Sequence, residues 1–152
     1  MIIVYDDAYK EKMIAMVQEA RLALKLESGV RADLYDVKAN YLDRGDGFFL
    51  ALDDGDNVVG CLGFSVIGKG DEAFLHRFYV KASLKRQGIG SGLLQKAEEE
   101  MRKRGVSISR VHLGEPRETW FESYAFYPKH GYREYAPRYM MKELSYDFNP
   151  KL

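Results

Sequence analysis

Glycines and basic residues are concentrated in the segment Lys85–Ser91, whose sequence is KRQGIGS. Gly88 and Gly90 directly precede a run of residues with helical spacing, so they fall at the N-terminus of a predicted helix. At such an end the first backbone N–H groups have no intrahelical partner and the helix dipole is positive. Glycine leaves the backbone accessible, and Lys85 and Arg86 add positive charge. The segment therefore predicts a loop that binds phosphate groups.

Other phosphate-binding loops have different spacings. A Walker A loop requires G-x-x-x-x-G-K-[ST], and no lysine followed by serine or threonine stands here. A dinucleotide fingerprint requires a third glycine at the position of Leu93. The pattern therefore disfavours an NTPase and a Rossmann dehydrogenase. A tight turn without any ligand is the alternative, because a lone G-x-G is a weak signal.

The composition limits the size of the protein and its partners. The chain has 152 residues, of which 46% are apolar and 30% charged, as in ordinary globular proteins. We expect one domain over residues 1–145 and a C-terminal tail over 146–152. Lys and Arg total 23, as do Asp and Glu, so no excess positive charge supports nucleic-acid binding. The sequence therefore predicts no nucleic-acid partner.

Cysteine usage and hydropathy favour a cytoplasmic location. Cys61 is the only cysteine, which excludes an intrachain disulfide, and no Cys/His cluster has the spacing of a zinc site. We therefore expect no bound metal. The segment Met1–Tyr5 lacks the basic region of a signal peptide. No apolar run reaches the roughly 20 residues of a membrane span, so we expect neither export nor membrane insertion.

Strands and helices must position the loop, and the periodicity of apolar residues predicts both. Strands are predicted over 1–5, 48–52, 58–67, 73–80, 106–113, 132–135 and 139–144, and helices over 8–27, 34–42, 89–104 and 119–130. We expect Asp6 or Asp7 to cap the first helix, Ser28-Gly29 to interrupt it, and a capping box from Thr119 to begin the fourth. Three consecutive acidic residues from Glu98 each precede a basic residue by four positions, which predicts an exposed helix face.

Two segments of the chain resemble motifs A and B of the GNAT (Gcn-type N-acetyltransferase) superfamily. The first is Leu75–Val80, followed eight residues later by Gly88-Ile89-Gly90 and then by two leucines. The second is Ala125–Tyr132, AFYPKHGY, which is similar to A-x-x-[FL]-Y-x-K-x-G-[FY] with the alanine shifted in register. The two motifs occur in the family's order, separated by a predicted helix and strand. The resemblance covers about residues 48–144.

This resemblance implies the fold and the reaction. The implied fold is of the α/β (α+β) class: a single-domain, mixed, mostly antiparallel sheet of six to seven strands, with helices on both faces and strands four and five splayed apart. Acetyl-CoA would lie in the splay as a cosubstrate. The implied activity is transfer of its acetyl group to a primary amine of a small molecule or peptide by direct attack. Cys61 lies in an apolar strand, so a cysteine nucleophile is not expected.

The resemblance also assigns residues to the cosubstrate. The backbone of the fourth strand would pair with the pantetheine arm, and the amides of the glycine loop would hold the pyrophosphate. The cofactor-binding residues that this implies are Phe78, Tyr79, Val80, Lys85, Arg86, Gln87, Gly88, Ile89, Gly90 and Ser91.

Catalytic roles are implied for three side chains. Tyr127 matches the motif B tyrosine that is proposed to protonate the departing CoA thiolate, although Pro128 follows it and disfavours helical backbone angles. The attacking amine must lose a proton to a base, and many family members use a carboxylate on strand four for this. On that strand this chain has Glu72 at the start and His76 in the middle. Glu115, after the fifth strand, is a further candidate for the base.

Alternatives to catalysis stay open from the sequence. A noncatalytic module could bind acyl-CoA as a regulatory ligand through the same loop, and a phosphate-binding enzyme of another fold would bind ATP or NAD instead. The acceptor is expected to be a small amine or a peptide N-terminus, because the chain lacks the acidic bias that would select polycationic histone tails. A homodimer is neither required nor excluded.

Overall fold

A computed structural model of the protein describes residues 1–27 and 29–144. Its strands are β1 (Ile2–Val4), β2 (Gly47–Leu52), β3 (Val58–Ile67), β4 (Glu72–Val80), β5 (Ile108–His112), β6 (Arg133–Ala136) and β7 (Tyr139–Glu143). Its helices are α1 (Lys10–Ala23), α2 (Val37–Asn40), α3 (Ile89–Lys103) and α4 (Phe121–Lys129). The predicted tail over 146–152 lies outside the described residues, as does Ser28. Within residues 1–27 and 29–144, no helix is long and apolar enough to cross a membrane.

The strands form one sheet with the order β1-β2-β3-β4-β5-β7-β6. All neighbouring strands are antiparallel except β4 and β5, which are parallel. Within the described residues, three residue pairs join these two strands, between Glu72–Phe74 and Ile108–Arg110. Beyond Phe74 the strands diverge, since β4 continues to Val80 beside β3 while β5 continues beside β7. The mixed, mostly antiparallel sheet with splayed fourth and fifth strands is thus confirmed.

Helices cover both faces of the sheet, as predicted. One face packs against α3, whose buried residues Leu93, Leu94, Ala97 and Met101 recur at helical spacing. The other face packs against α1 through Met13, Met16 and Val17. Strand β2 lies between both layers: Phe49 and Ala51 belong to the first core, and Phe48, Leu50 and Leu52 to the second. This alternation follows from the two-residue period of a strand.

The helix boundaries differ from the sequence prediction in three places. The Asp6 carboxylate accepts from the Ala8 N–H and caps the 3-10 turn Asp7–Tyr9 that precedes α1. The N-cap of α1 itself is Tyr9, without a side-chain cap, and α1 ends at Ala23, just before Lys25 adopts a φ of 61°. The predicted second helix contains only four α-helical residues, in α2, and 3-10 turns flank them on both sides. The predicted capping box at Thr119 is wrong, since the N-cap of α4 is Trp120 and no side chain caps this end.

Glu98 is buried rather than exposed, which corrects the prediction for its helix face. Its carboxylate accepts from the Tyr132 hydroxyl and from the Lys142 ammonium, both at 2.8 Å, and lies 3.9 Å from Arg102. Tyr132 also shares a 2.8 Å hydrogen bond with Ser109 of β5. The charge is therefore satisfied by partners that lie far along the chain, which helical spacing alone does not reveal.

Candidate active site

The divergence of β4 and β5 opens a groove of about 620 Å³, a volume within the usual range for small-molecule and cofactor sites. One wall consists of β4 and the loop before α3, the other consists of α4, and the end of α1 borders both. The lining residues are Ala20, Leu24, Phe78, Tyr79, Val80, Lys85, Arg86, Gly88, Gly90, Ser91, Thr119, Trp120, Phe121, Glu122, Ser123, Ala125, Phe126, Tyr127, Lys129 and His130.

The glycine loop turns directly into α3. Gly88 is the N-cap residue and has a φ of 84°, a left-handed conformation that favours glycine. No side chain caps this end of the helix, so its first N–H groups are available to an anion. A β-carbon at Gly90 would lie 3.5 Å from the rings of both Phe78 and Phe126. Position 90 thus lies between the two walls of the groove.

Eight of the ten residues assigned to cofactor binding line the groove, and two do not. Gln87 is exposed at the outside of the loop. Ile89 packs instead against the first core, near Gly60 of β3. Their side chains do not line the groove, although their backbone belongs to the loop. The assignment of the other eight residues stays a prediction.

Two polar contacts cross the groove between the loop and α4. The Lys85 ammonium lies 3.4 Å from the Glu122 carboxylate. The His130 ring donates from Nδ1 to the Phe126 carbonyl, so in neutral form its Nε2 accepts from the Ser91 hydroxyl at 2.9 Å. Sequence reasoning missed both contacts, because the partners are 37 and 39 residues apart.

Tyr127 points into the same groove from α4. Its ring lies edge-on to Phe78 and Tyr132, and 4% of the residue is exposed. Its hydroxyl has no hydrogen-bond partner among residues 1–27 and 29–144, and burial raises the pKa of the phenol. Pro128 does not displace it, since α4 continues to Lys129 and Pro128 occupies the last turn. The phenol is therefore a protonated donor facing the groove.

His76 lies on the opposite face of the sheet, beside Tyr41, and does not line the groove. Its Nε2 is 2.7 Å from the Ser65 hydroxyl. Burial, with a further contribution from the Arg77 charge, lowers the pKa of the imidazole. The ring is consequently neutral at pH 7, the form that accepts a proton.

The structure does not bring the two candidate carboxylates to the groove. Glu72 lies at the paired end of β4, where it forms a 2.5 Å ion pair with Arg110. Phe78 is six positions further along the strand than Glu72, a distance of roughly 20 Å. Glu115 is exposed and pairs with Arg138 at 3.0 Å. Neither carboxylate is placed to take a proton at the groove.

Comparisons with known proteins agree with this geometry. The model of the acetyltransferase (GNAT) family matches residues 12–132. The fold is similar to that of an acetyltransferase of the GNAT family from Staphylococcus aureus Mu50, with a TM-score of 0.85, 22% identity and coverage of 95% of this chain and 99% of the other. No curated protein sequence matches the chain significantly.

Two further solved structures share the fold. Aminoglycoside 6'-acetyltransferase type Ii aligns with a TM-score of 0.76 and 21% identity over 96% of this chain and 98% of that chain. The paia N-acetyltransferase from Thermoplasma acidophilum, solved in complex with coenzyme A, aligns with a TM-score of 0.74 and 20% identity over 94% and 98%. The chain therefore belongs to the GNAT family of acetyltransferases, whose acetyl donor is acetyl-CoA.

Proposed function

We propose that the protein transfers the acetyl group of acetyl-CoA to a primary amine of a small molecule or peptide, by direct attack of the amine on the thioester. One observation carries this proposal: a single groove contains both the uncapped N-terminus of α3 and the unpartnered hydroxyl of Tyr127. The first suits a pyrophosphate, and the second suits a leaving thiolate. A binding site without catalysis would need only the first.

Each part of the donor would have a counterpart in the groove. Acetyl-CoA supplies an acyl group that its thioester activates. The amides following Gly88, together with Lys85 and Arg86, would hold the pyrophosphate. The unpaired edge of β4 from Phe78 to Val80 offers backbone groups to the pantetheine amides, as an added strand would. The aromatic wall of α4 would shield the bound donor from water on the other side.

Tyr127 would assist departure of the thiolate. A free thiol has a pKa of about 8.5, lower than that of an ordinary phenol at about 10. Because burial raises the pKa of Tyr127 further, complete proton transfer to the thiolate costs free energy. The phenol would therefore contribute chiefly as a charge-assisted hydrogen-bond donor to sulfur. CoA would leave as this hydrogen-bonded thiolate and then take its proton from water, while the base takes the proton that the amine loses.

His76 would accept the proton of the amine. A protonated amine has no lone pair for attack, so a base must act on it directly or through water. The neutral ring of His76 is two residues from Phe78 on the face of β4 that α1 and α2 cover. This position supports attack from that face, while the donor occupies the groove.

The backbone N–H of Phe78 would stabilise the negative charge that develops on the thioester carbonyl oxygen. Such a donor acts without any side chain, provided that its strand holds it in place. The kind of acceptor is inferred from similar proteins. Two similar structures are named as an aminoglycoside 6'-acetyltransferase and an N-acetyltransferase. These names support an amine acceptor, and the balanced charge of the chain favours a small molecule or a peptide N-terminus.

Calorimetric titration with acetyl-CoA, free CoA, ATP and NAD tests the donor, and thiol release with a panel of amines tests the transfer. We expect saturable binding of both CoA species, none of ATP or NAD, and amine-dependent thiol release. Binding without release from any amine would favour the noncatalytic module. Absence of CoA binding by folded protein would reduce the glycine loop to a turn.

A further inference from the structure

Strand β4 contains a bulge at the point where it begins to line the groove. Two of its residues, Arg77 and Phe78, lie opposite the single residue Leu62 of β3. Arg77 has a φ of 55°, in the left-handed region that disfavours residues with a β-carbon. A bulge re-aims the strand and leaves one residue outside the ladder. Contacts outside the strand must therefore hold this conformation.

Three side chains supply those contacts. The Arg77 Nε donates to both carboxylate oxygens of Asp33, each at 3.1 Å. Asp33 also accepts from the Tyr41 hydroxyl at 2.5 Å, which fixes the carboxylate. The thiol of Cys61 donates to the Arg77 carbonyl at 3.2 Å. The side chains of Arg77 and Asp33 are 27% and 21% exposed, so the pair is shielded from most of the solvent.

We propose that Asp33 and Arg77 are positioning residues that hold the bulge so that the Phe78 N–H faces the carbonyl oxygen of the thioester. The inference rests on the proposed function, because it assigns that N–H as the donor to the developing charge. Asp33 lies in the 3-10 helix Ala32–Asp36, between α1 and α2. The ion pair thus connects this 3-10 helix, on the face of β4 from which the amine is proposed to attack, to the strand that contains the Phe78 N–H.

Substitutions at Asp33 and Arg77 separate positioning from simple stabilisation. Asp33→Asn and Arg77→Ala should each lower kcat by about 10- to 100-fold, while the Kd for free CoA changes less than about twofold. Glycine adopts a positive φ without strain, so Arg77→Gly keeps the bulge without its ion pair. It should retain more activity than Arg77→Ala. Equal activity of the two variants, or unchanged kcat in Asp33→Asn, would overturn the inference.

Amide NMR provides a readout that requires no acceptor. In the wild-type protein, acetyl-CoA should move the Phe78 amide proton downfield relative to free CoA, because only the thioester offers the carbonyl. In Asp33→Asn this difference should be lost, while the amides of Gly88 and Gly90 respond to both ligands as in the wild type. That response also verifies that the variant is folded.

The outcomes distinguish this inference from the proposed function. If the loop amides respond but Phe78 gives no difference in the wild type, the positioning role fails and CoA binding stands. If the difference persists in Asp33→Asn, the ion pair does not position the amide. If neither ligand shifts any amide of the loop, the proposed function fails, and the inference fails with it.

Discussion

Tyr127 differs from the other buried tyrosines of the described residues in the hydrogen bonding of its hydroxyl group. The hydroxyl of Tyr132 bonds to Glu98, that of Tyr41 to Asp33, and that of Tyr124 lies 3.5 Å from the Gly114 carbonyl. Buried polar groups almost always have such partners. The Tyr127 hydroxyl has none within the described part of the chain, so a ligand in the groove is its natural partner.

Replacement of Tyr127 by phenylalanine should therefore affect turnover and not folding. A hydrogen bond to a charged partner contributes about 1.5–3 kcal/mol, so Tyr127→Phe should lower kcat by about 10- to 100-fold. The Kd for free CoA should stay within about twofold, as measured by calorimetry. Tyr124→Phe removes a hydroxyl from the same helix outside the groove and serves as the control. Equal activity of Tyr127→Phe and this control would assign Tyr127 to packing.

The lowered pKa of His76 predicts a pH dependence. The imidazole accepts a proton only when neutral, and burial favours that form. When one amine is used as the acceptor throughout, kcat/KM should fall as the pH drops through the pKa of His76. This pKa lies below the ordinary histidine value of about 6.5. His76→Gln retains a hydrogen-bonding group for Ser65, yet should lower kcat/KM about 100-fold at pH 7 and remove this acid limb. An unchanged profile in the variant would exclude His76 as the base.

Sequence reasoning at this scale identified groove-lining residues that belong to a contiguous motif. The groove-lining positions Gly88, Gly90 and Tyr127 were all predicted from contiguous patterns. The Ser91–His130 contact and the Asp33–Arg77 pair were not, because each joins segments that only tertiary folding brings together. Glu72 was proposed from its strand, but the pattern gave no sign of Arg110.

Helix α3 combines a core face with a free N-terminus, and both properties follow from its sequence. Apolar residues recur along one side, so the helix is fixed against the sheet. Gly88 begins the helix without a capping side chain. The core therefore holds α3 in place while its positive N-terminal end faces the groove, and this arrangement favours the binding of an anion.

A carboxylate placed at this helix end should oppose the cosubstrate. Position 90 lies between Phe78 and Phe126, so Gly90→Asp would direct a negative charge into the groove. We expect at least about a tenfold increase in the Kd for CoA. Folding should not suffer, because an acidic residue in the first turn suits the helix dipole.

Gln95→Asp provides the matched control for this experiment. It adds the same charge to an exposed position of α3 outside the groove, and the Kd for CoA should stay within about twofold. If Gly90→Asp bound CoA with unchanged affinity in the same calorimetric assay, the loop would not hold the pyrophosphate.

The elements themselves were predicted with uneven success, for physical reasons. Strands β2, β3 and β4 combine apolar runs with clear turns, and their bounds agree within one residue. The region between α1 and β2 was predicted as one helix but alternates 3-10 and α-helical turns. Local sequence distinguishes these poorly, since both place apolar residues three to four positions apart.

At the scale of the whole molecule, the groove interrupts the sheet between β4 and β5, and a buried hydrogen-bond network connects the two halves. β4 and β5 share three residue pairs across the described chain, so the strands alone connect the two halves weakly. Glu98 on α3 reaches Tyr132 and Lys142, and Tyr132 reaches Ser109 of β5. This buried network joins the helix to the far half of the sheet.

Loss of the Glu98 carboxylate should therefore lower global stability. Removal of one member of a buried, hydrogen-bonded charge group leaves its partners unsatisfied, and we expect Glu98→Ala to cost about 2–4 kcal/mol. Urea denaturation monitored by circular dichroism measures this change. Glu99→Ala, at the exposed neighbouring position, should stay within about 0.5 kcal/mol. Similar stabilities of the two variants would show that the network is not structurally important.

The divergence of β4 from β5 also leaves a strand edge open in the interior of a sheet, where most proteins leave none. Such an edge is a template for any extended chain, including another molecule's strand. If pantetheine lies along β4 as proposed, it would cover this edge with amides that cannot extend the sheet further. Cosubstrate binding would thus protect the protein against self-association as well as supply the acetyl group, and cellular CoA levels would influence how long the chain stays dispersed.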